Sequence, residues 1–344
     1  MIKTCIIFGG VSSEHEVSLR SATSVLRNID KNKYEVHMLG ITTEGRWLYY
    51  TGDAADIESG QWEHSGKTTP AVISPDRAHR GLLFQNGEVI PLSVVFPVLH
   101  GKNGEDGTIQ GLLELSGIPY VGCGMLASAA CMDKEVTHHL LVAAGIPRTK
   151  LIALKKHDTL DFDTLESTLG YPMFIKPANA GSSVGVTKVS ARSEIQPALD
   201  KAFAHDDKLV AEAGVIGREV ECAVMGNNAP IVSQTIGEII LPSDGFYDYS
   251  AKYLDDTAGL IIPADIDPDT AQHIRETAVA AYLATGCKGF SRVDFFLKPD
   301  GEIMINEINT IPGFTSISMF PKLFIQSGIE YSEIIDKLIS YAME

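Results

Sequence analysis

The sequence has few cysteines and no long apolar run. Its five cysteines are scattered over 344 residues, odd in number and without C-x-x-C spacing, which argues against a disulfide framework or a zinc knuckle. No run of about 18 or more apolar residues occurs, so we expect no transmembrane helix. The first residues lack the apolar core and cleavage site of a signal peptide. We therefore expect buried free thiols and a cytoplasmic protein.

Basic residues are also scarce. The chain has 28 Lys and Arg against 44 Asp and Glu, a net charge of −16 at pH 7, which opposes binding to nucleic acid or to an anionic membrane. We expect neither as a partner. The 44% hydrophobic and 21% charged residues are typical of a globular protein. Its length suits two or three domains of roughly 100–150 residues, with a cleft between them.

Strand-like and helix-like segments alternate at the start of the chain. Thr4–Phe8 and Tyr34–Ile41 read as strands and Val17–Ile29 as a helix, which predicts a parallel sheet covered by helices. Leu92–Leu99 is almost wholly apolar and predicts a buried strand that delivers His100 at its carboxyl end, where ligands gather.

The rest of the chain predicts an α+β pattern. Residues 51–87 are polar and turn-rich, and we interpret them as an irregular insertion. A single helix is expected at Met125–Ala144, with a domain boundary near residues 130–150. The later predicted elements are a hairpin of Met173–Lys176 and Val186–Val189, a helix at Pro268–Thr285, strands at Ser291–Leu297 and Glu302–Ile308, and a last helix from Tyr331.

The strongest chemical pattern is the hairpin of the last two strands. Because side chains alternate along a strand, Glu307 and Asn309 share a face, and the hairpin brings Asp294 beside them. Carboxylate and amide oxygens are the ligands that Mg²⁺ prefers, with positions left open for phosphate. A solvated hairpin is the alternative, but the apolar neighbours Val293 and Phe295 argue against an idle surface.

A second pattern joins a lysine to a glycine-rich loop. Lys176 ends a predicted strand, and Gly181–Gly185 follows it. Such a loop can direct backbone N–H groups and hydroxyls at a phosphate while the lysine supplies charge. By itself a Gly/Ser loop is more typical of a plain hairpin turn. Lys134 is another candidate phosphate contact, with a solvated helix lysine as the alternative.

Two glycine turns near the start carry acids and histidine. Gly9–Ser18 includes Glu14, which can complement a helix dipole or bind a substrate ammonium. The stretch His100–Gly107 follows the carboxyl end of a predicted strand, which is a position suited to small-molecule binding. No G-x-x-x-x-G-K-[ST] motif occurs, which disfavours a P-loop protein. Gly122–Ala127 matches a loose dinucleotide fingerprint, but it lies far from the first strand and favours a nicotinamide dehydrogenase only weakly.

In this order, the segments resemble the D-alanine-D-alanine ligase family over the whole chain except residues 51–87. The segments that carry the resemblance are Gly9–Leu19, His100–Glu114, Phe246–Tyr253 and Asn306–Ser316. The resemblance implies an ATP-grasp enzyme of three domains. It has an N-terminal α/β parallel-sheet domain (1–130), a central ATP-grasp subdomain (131–217) and a C-terminal subdomain with the metal site (218–344).

The resemblance also implies a reaction for peptidoglycan precursor synthesis. In this family a first D-alanine attacks the γ-phosphate of ATP, and the amine of a second D-alanine attacks the resulting acyl phosphate. The cofactors implied are ATP and two Mg²⁺ or Mn²⁺ ions. The matching positions are Glu14, Ser182, Tyr253, Arg292 and Gly313 for catalysis; Glu14, His100, Ser318 and Met319 for the amino acids; Lys134, Lys176, Ser183, Glu212, Glu219 and Lys252 for ATP; and Asp294, Glu307 and Asn309 for the metals.

Related ligases differ in the second substrate. The lactate-using relatives lack the tyrosine that stands here as Tyr253, and the serine-using relatives carry an arginine where this chain has Met319. The resemblance therefore implies D-alanine, with D-serine as the alternative acceptor. It also implies a homodimer acting on small molecules. A nucleotide-binding regulatory protein remains a further alternative, although the ligand set is intact.

Overall fold

The computed structural model describes residues 1–181, 184–240 and 259–344. Ser182, Ser183, Lys252 and Tyr253, together with the predicted loop Phe246–Tyr253, lie outside the described residues. The helices are α1 (His15–Asn28), α2 (Ala54–Glu58), α3 (Thr108–Ser116), α4 (Met125–Met132), α5 (Lys134–Ala143), α6 (Phe162–Leu169), α7 (Ile195–Phe203), α8 (Pro268–Ala284), α9 (Met319–Gln326) and α10 (Tyr331–Ala342). The strands are β1 (Ile2–Gly9), β2 (Tyr34–Ile41), β3 (Trp47–Tyr50), β4 (Thr68–Ile73), β5 (Gly81–Phe84), β6 (Val89–Pro91), β7 (Val94–Pro97), β8 (Leu151–Lys155), β9 (Met173–Pro177), β10 (Thr187–Val189), β11 (Lys208–Ala213), β12 (Arg218–Met225), β13 (Ile231–Val232), β14 (Gly237–Ile240), β15 (Gly259–Ile261), β16 (Phe290–Leu297) and β17 (Ile303–Asn309).

The first sheet has seven strands in the order β6-β5-β4-β3-β2-β1-β7. Strand β1 pairs in parallel with both β2 and β7, and α1 connects β1 to β2, so the predicted parallel opening is confirmed. The predicted strand at Leu92–Leu99 forms a ladder only at Val94–Pro97. His100 follows it at the carboxyl edge of the parallel strands, where the predicted ligand position lies.

The prediction of an irregular insertion at residues 51–87 is wrong. This segment contains α2, a 3₁₀ turn at Trp62–His64, and strands β4 and β5, which extend the sheet by antiparallel pairing. Trp62 is fully buried with its ring edge-on to Phe8, at a centroid distance of 4.9 Å. A Cβ at Gly40 would lie 2.3 Å from the Trp62 ring. The buried Trp62 ring therefore fixes residues 51–87 to the first sheet, although their composition is polar.

The predicted single helix Met125–Ala144 is also wrong, because the chain breaks at Asp133 between α4 and α5. The Asp133 carboxylate accepts the N–H groups of Glu135 and Val136, both at 3.1 Å, and forms an ion pair with Lys208. This N-cap starts α5. It also fixes Lys134, the first residue of that helix, at the junction with the second sheet.

The second sheet has four strands in the order β10-β9-β11-β8, with α6 and α7 packed on one face. The third sheet runs β15-β14-β12-β16-β17, with β13 beside β12. Helix α8 covers one face of the third sheet through Ile274 and Tyr282. The opposite face of the same sheet carries the polar side chains of Arg292, Asp294, Glu307 and Asn309 at one end. No helix in the described ranges is long and apolar enough to cross a membrane.

Candidate active site

The hairpin of β16 and β17 aligns the predicted metal ligands. Asp294 lies opposite Glu307 and Arg292 lies opposite Asn309, so all four side chains share one face of the sheet. The register shifts after Asp294, where Phe295 pairs with Ile305 and one extra residue bulges from β17. A bulge of this kind redirects the neighbouring side chain.

Charged contacts occupy this face. The Arg292 guanidinium donates to both oxygens of Asp294, at 2.7 and 2.6 Å, and lies 3.0 Å from Glu221 Oε2. Asn309 donates its amide N–H to Asp294 at 2.9 Å. Both Arg292 and Asp294 are buried. Two carboxylates, those of Glu221 and Asp294, therefore contact the Arg292 guanidinium, and Glu307 lies opposite Asp294 on the same face.

These donors fit a hard cation that shares its shell with substrate. Within residues 1–181, 184–240 and 259–344, no group of three or more His, Cys, Asp or Glu side chains is arranged to hold a metal ion without other ligands. Two carboxylates and an amide leave positions open, as Mg²⁺ prefers when it also binds phosphate. Asn309 would have to turn its amide to offer oxygen, because its nitrogen faces Asp294 here.

The predicted nucleotide contacts meet at the second sheet. Lys176 Nζ lies 2.6 Å from Glu212 Oε2, and Arg148 Nη2 lies 3.7 Å from Glu212 Oε1. Burial opposes ionisation of Glu212, but Lys176 and Arg148 outweigh it and lower its pKa. Lys134 Nζ donates to the carbonyl of Ala180 at 2.8 Å. Glu212 is therefore held as an anion next to the lysines.

Arg148 was not among the residues predicted from the sequence. Its side chain is 2% exposed, its backbone bridges to Ile305 of β17, and burial lowers its pKa although Glu212 and Glu307 favour the charged form. A buried arginine between two carboxylates links the second sheet to the third. Its position after Gly145–Pro147 carries no local motif, so only the fold brings it here.

A cavity of about 60 Å³ lies where the three sheets meet. Its lining includes Glu14, His100, Glu105, Cys131, Lys134, Gly181, Arg292, Glu307 and Asn309. A neighbouring crevice of about 400 Å³ shares Glu14 and Gly181 and opens beside Lys102 and His205. Six predicted residues from distant parts of the sequence therefore line one cavity, namely Glu14, His100, Lys134, Arg292, Glu307 and Asn309. Other predicted residues do not line it, namely Lys176, Glu212, Glu219, Asp294, Gly313 and Ser318.

Two glycines let backbone approach Glu14, which is 5% exposed. A Cβ at Gly101 would lie 2.2 Å from Glu14 Oε2, and one at Gly181 would lie 3.0 Å from the same oxygen. Gly101 also has a φ of +70°, which disfavours other residues. The carboxylate is consequently enclosed between the first sheet's loop and the loop after β9.

His100 is buried at the cavity wall. Its Nδ1 lies 3.0 Å from the carbonyl of Ile311 and its Nε2 lies 3.0 Å from Ser21 Oγ. Since a carbonyl only accepts, the proton is on Nδ1, and Nε2 accepts from the Ser21 hydroxyl. Burial lowers the pKa of His100 to about 4. The imidazole is therefore neutral near pH 7.

Glu105 is a second residue that the sequence analysis did not select. It accepts the N–H of Gly101 at 2.7 Å and the N–H of Ile311 at 3.2 Å. Burial, followed by the charge of Glu14, raises its pKa to about 8. The acidic glycine-rich stretch His100–Gly107 was the available signal, but the partner Ile311 is too distant in sequence to predict.

Three further predicted residues occupy other positions in the structure. Glu219 is on β12 and shares the face of Glu221, Arg292 and Asp294. Gly313 is buried in the turn after β17. Ser318 accepts the N–H of Thr315 at 3.0 Å.

Met319 does not line the cavity of about 60 Å³. It is 5% exposed, and its side chain lies against Gly237.

The dinucleotide interpretation of Gly122–Ala127 finds no support. Gly122 has a φ of +108°, and its backbone lies 2.9 Å from the position of a Cβ at Gly289. The segment connects the edge of the first sheet to α4 and packs on the third sheet. The close approach to Gly289 and the positive φ explain the glycine at position 122.

Comparison with known proteins agrees with this geometry. The family model described as D-ala D-ala ligase N-terminus matches residues 3–123, and the one described as D-ala D-ala ligase C-terminus matches residues 140–340. A D-alanine--D-alanine ligase of Caldicellulosiruptor bescii is 49% identical over 100% of this chain and 95% of its own length. D-alanine--D-alanine ligase A of Escherichia coli is 46% identical over 100% and 96%.

Solved structures agree as well. The VanG D-Ala:D-Ser ligase from Enterococcus faecalis superposes with a TM-score of 0.91 at 46% identity, covering 99% of each chain. The D-alanine-D-alanine ligase from Coxiella burnetii gives a TM-score of 0.88 at 34% identity, covering 100% of this chain and 95% of its own. With both family models matched and its polar residues gathered at the junction of three sheets, this chain belongs to the D-alanine-D-alanine ligase family, whose fold is ATP-grasp.

Proposed function

We propose that the protein joins two D-alanine molecules, with ATP cleaved to ADP and phosphate. The observation that carries this proposal is the cavity where Glu14 of the first sheet's domain meets Lys134, Arg292 and Glu307. An amino acid brings an ammonium, which suits Glu14, and a carboxylate that is to be phosphorylated. Phosphoryl transfer needs positive charge around the moving group, which the lysine, the arginine and a carboxylate-bound cation supply.

In the first step, the donor carboxylate attacks the γ-phosphate. Lys134 and Lys176 serve as positive charges at the phosphates, while Glu212 and Glu219 hold the adenosine. Asp294, Glu307 and Asn309 would hold Mg²⁺ or Mn²⁺, whose chemistry here is to neutralise charge on the transferred group. Glu14 orients the donor ammonium, so that its carboxylate faces the phosphate. The family resemblance adds Lys252 and Ser183 to the proposed phosphate contacts.

In the second step, the acceptor amine attacks the acyl phosphate, and phosphate leaves. Arg292 and the Gly313 N–H stabilise the oxyanion of the tetrahedral intermediate. His100 lines the donor position as a neutral side chain. Ser182 and Tyr253, which match the family's loop partners of Glu14, would close the site. Closure excludes water, which would otherwise hydrolyse the acyl phosphate.

The acceptor site involves Ser318 and Met319 in this proposal. An apolar methionine favours D-alanine over D-serine, but such a pocket rejects an added hydroxyl only by about a hundredfold. D-serine ligation is the second candidate, because the superposition with a D-Ala:D-Ser ligase reaches a TM-score of 0.91. We also propose domain boundaries near residues 130 and 217, a homodimer, and action in the cytoplasm.

The test is phosphate release with D-alanine, D-serine, D-lactate and L-alanine as acceptors, with mass spectrometry of each product. We expect D-alanyl-D-alanine as the main product, at one phosphate per dipeptide, and dependence on Mg²⁺ or Mn²⁺. A higher kcat/KM for D-serine than for D-alanine would show that the second candidate, D-serine ligation, is the correct function. ATP binding without any product would instead support a regulatory protein.

A further inference from the structure

The turn that follows β17 is held by side chains of the first sheet's domain. Ile311 is fixed through both of its backbone groups. Its N–H is donated to Glu105 Oε1 at 3.2 Å, and its carbonyl accepts from His100 Nδ1 at 3.0 Å. The other carboxyl oxygen of Glu105 accepts the N–H of Gly101 at 2.7 Å. Glu105 thus ties the backbone of its own loop to that of Ile311, which lies 206 residues from Glu105 along the chain.

The far side of the same turn is held in a similar way. Phe314 donates its N–H to Ser21 Oγ at 3.2 Å, and the Ser21 hydroxyl in turn donates to His100 Nε2 at 3.0 Å. The Tyr331 hydroxyl donates to the Phe314 carbonyl. One imidazole therefore couples both ends of the turn, since it donates to Ile311 and accepts from the serine that holds Phe314.

Gly313 lies between Ile311 and Phe314, and in the proposed function its N–H stabilises the oxyanion of the tetrahedral intermediate. Stabilisation of an oxyanion requires a donor held within a few tenths of an ångström before the reaction. We infer that Glu105, with His100 and Ser21, positions the Gly313 N–H for the second step, so that the first sheet's domain controls peptide-bond formation. This inference rests on the proposed function.

The position of Glu105 disfavours an ionised carboxyl group. It lies near Glu14 and Glu307, and their negative charges add to burial in disfavouring its ionised form. Two N–H donors from separate segments are the contacts that retain it. Glu105 is a positioning residue, because it acts on the reacting atoms through the backbone of the turn.

The neighbouring Asp106 provides a matched control. Its carboxylate also accepts two backbone N–H groups, those of Asn103 at 2.8 Å and Thr108 at 3.0 Å. Asn103 lies in the same loop and Thr108 is the first residue of α3, so neither partner lies in the turn after β17. Asp106→Ala therefore perturbs the loop without releasing Ile311, whereas Glu105→Ala releases it.

The experiment measures phosphate and dipeptide in parallel for wild type, Glu105→Ala, Glu105→Gln and Asp106→Ala. We expect Glu105→Ala to lower the rate of dipeptide formation at least about tenfold, since loss of an oxyanion donor costs about 10²–10³ in rate, and to release several phosphates per dipeptide. The acyl phosphate still forms but is hydrolysed. Glu105→Gln should restore part of the coupling, because its amide oxygen can accept the Ile311 N–H.

Hydrogen exchange of the peptide covering residues 310–315 is the second measurement. Glu105→Ala should speed its exchange, and Asp106→Ala should leave it unchanged. Equal losses of phosphate and dipeptide in Glu105→Ala, or the same uncoupling in Asp106→Ala, would overturn the inference, as would unchanged exchange. If wild type forms no dipeptide, the proposed function fails, and exchange still decides whether Glu105 holds the turn.

Discussion

Adding one methyl group at Gly237 tests the role of Met319 without placing a charge in the core. A Cβ at Gly237 would lie 2.3 Å from Met319 Sδ, 2.7 Å from its Cε and 3.2 Å from Leu323 Cδ2. Met319 must therefore move in Gly237→Ala. Overpacking of this kind costs about 1–3 kcal/mol, partly offset by about 0.5–1 kcal/mol from replacing a glycine in a strand. Met319→Arg is a poorer test, because it buries a guanidinium at a position that is 5% exposed.

We expect Gly237→Ala to lower Tm by about 2–4 °C for each kcal/mol lost. If Met319 walls the acceptor pocket, its displacement should also lower the preference for D-alanine over D-serine, by up to about tenfold. The assay is kcat/KM for each acceptor, with thermal unfolding of the same preparations. Gly111→Ala, within α3, is the control. Its Cβ would lie 3.5 Å from Met125 Sδ, which is an ordinary van der Waals distance. An unchanged Tm would refute the packing argument, and a lower Tm with an unchanged acceptor ratio would refute Met319 as the pocket wall.

Three other predictions follow from the site. Glu307→Gln should reduce phosphate release at least about 100-fold at saturating Mg²⁺ with the fold intact, whereas Glu302→Gln on the same hairpin should not; near-normal release in the first variant would exclude the metal role. Arg148→Met should raise the KM for ATP about tenfold, as expected for one charged contact, with the KM for D-alanine nearly unchanged; equal changes in both would assign Arg148 to folding alone. The lowered pKa of His100 means that the contribution of this residue to stability falls as pH falls from 6.5 towards about 4, by up to about 3 kcal/mol. Since the raised pKa of Glu105 acts in the opposite direction, the test is the difference in unfolding free energy between wild type and His100→Gln, and a difference that does not vary with pH would contradict the assignment.

Much of the fold followed from local patterns. The strand and helix periods predicted β1, α1, β2 and the last hairpin closely, because alternation and helical repeat are properties of neighbouring residues. The same alternation correctly predicted that Asp294, Glu307 and Asn309 share a face. Two errors also have local causes. The polar, turn-rich composition of residues 51–87 gives no sign of the strands built around Trp62. The helix-like pattern on both sides of Asp133 does not show that its carboxylate caps a new helix.

The sequence by itself determined most of the elements, the family resemblance and the set of acids and lysines available for chemistry. Only the tertiary structure decided which of them meet. Arg148 reaches Glu212 because the segment before β8 bridges to β17, and Glu105 reaches Ile311 across 206 residues. The physical reason is that periodicity fixes which face a side chain occupies, whereas a contact between domains depends on how the faces of three sheets pack. That packing depends on buried side chains throughout the chain, and no local segment encodes it.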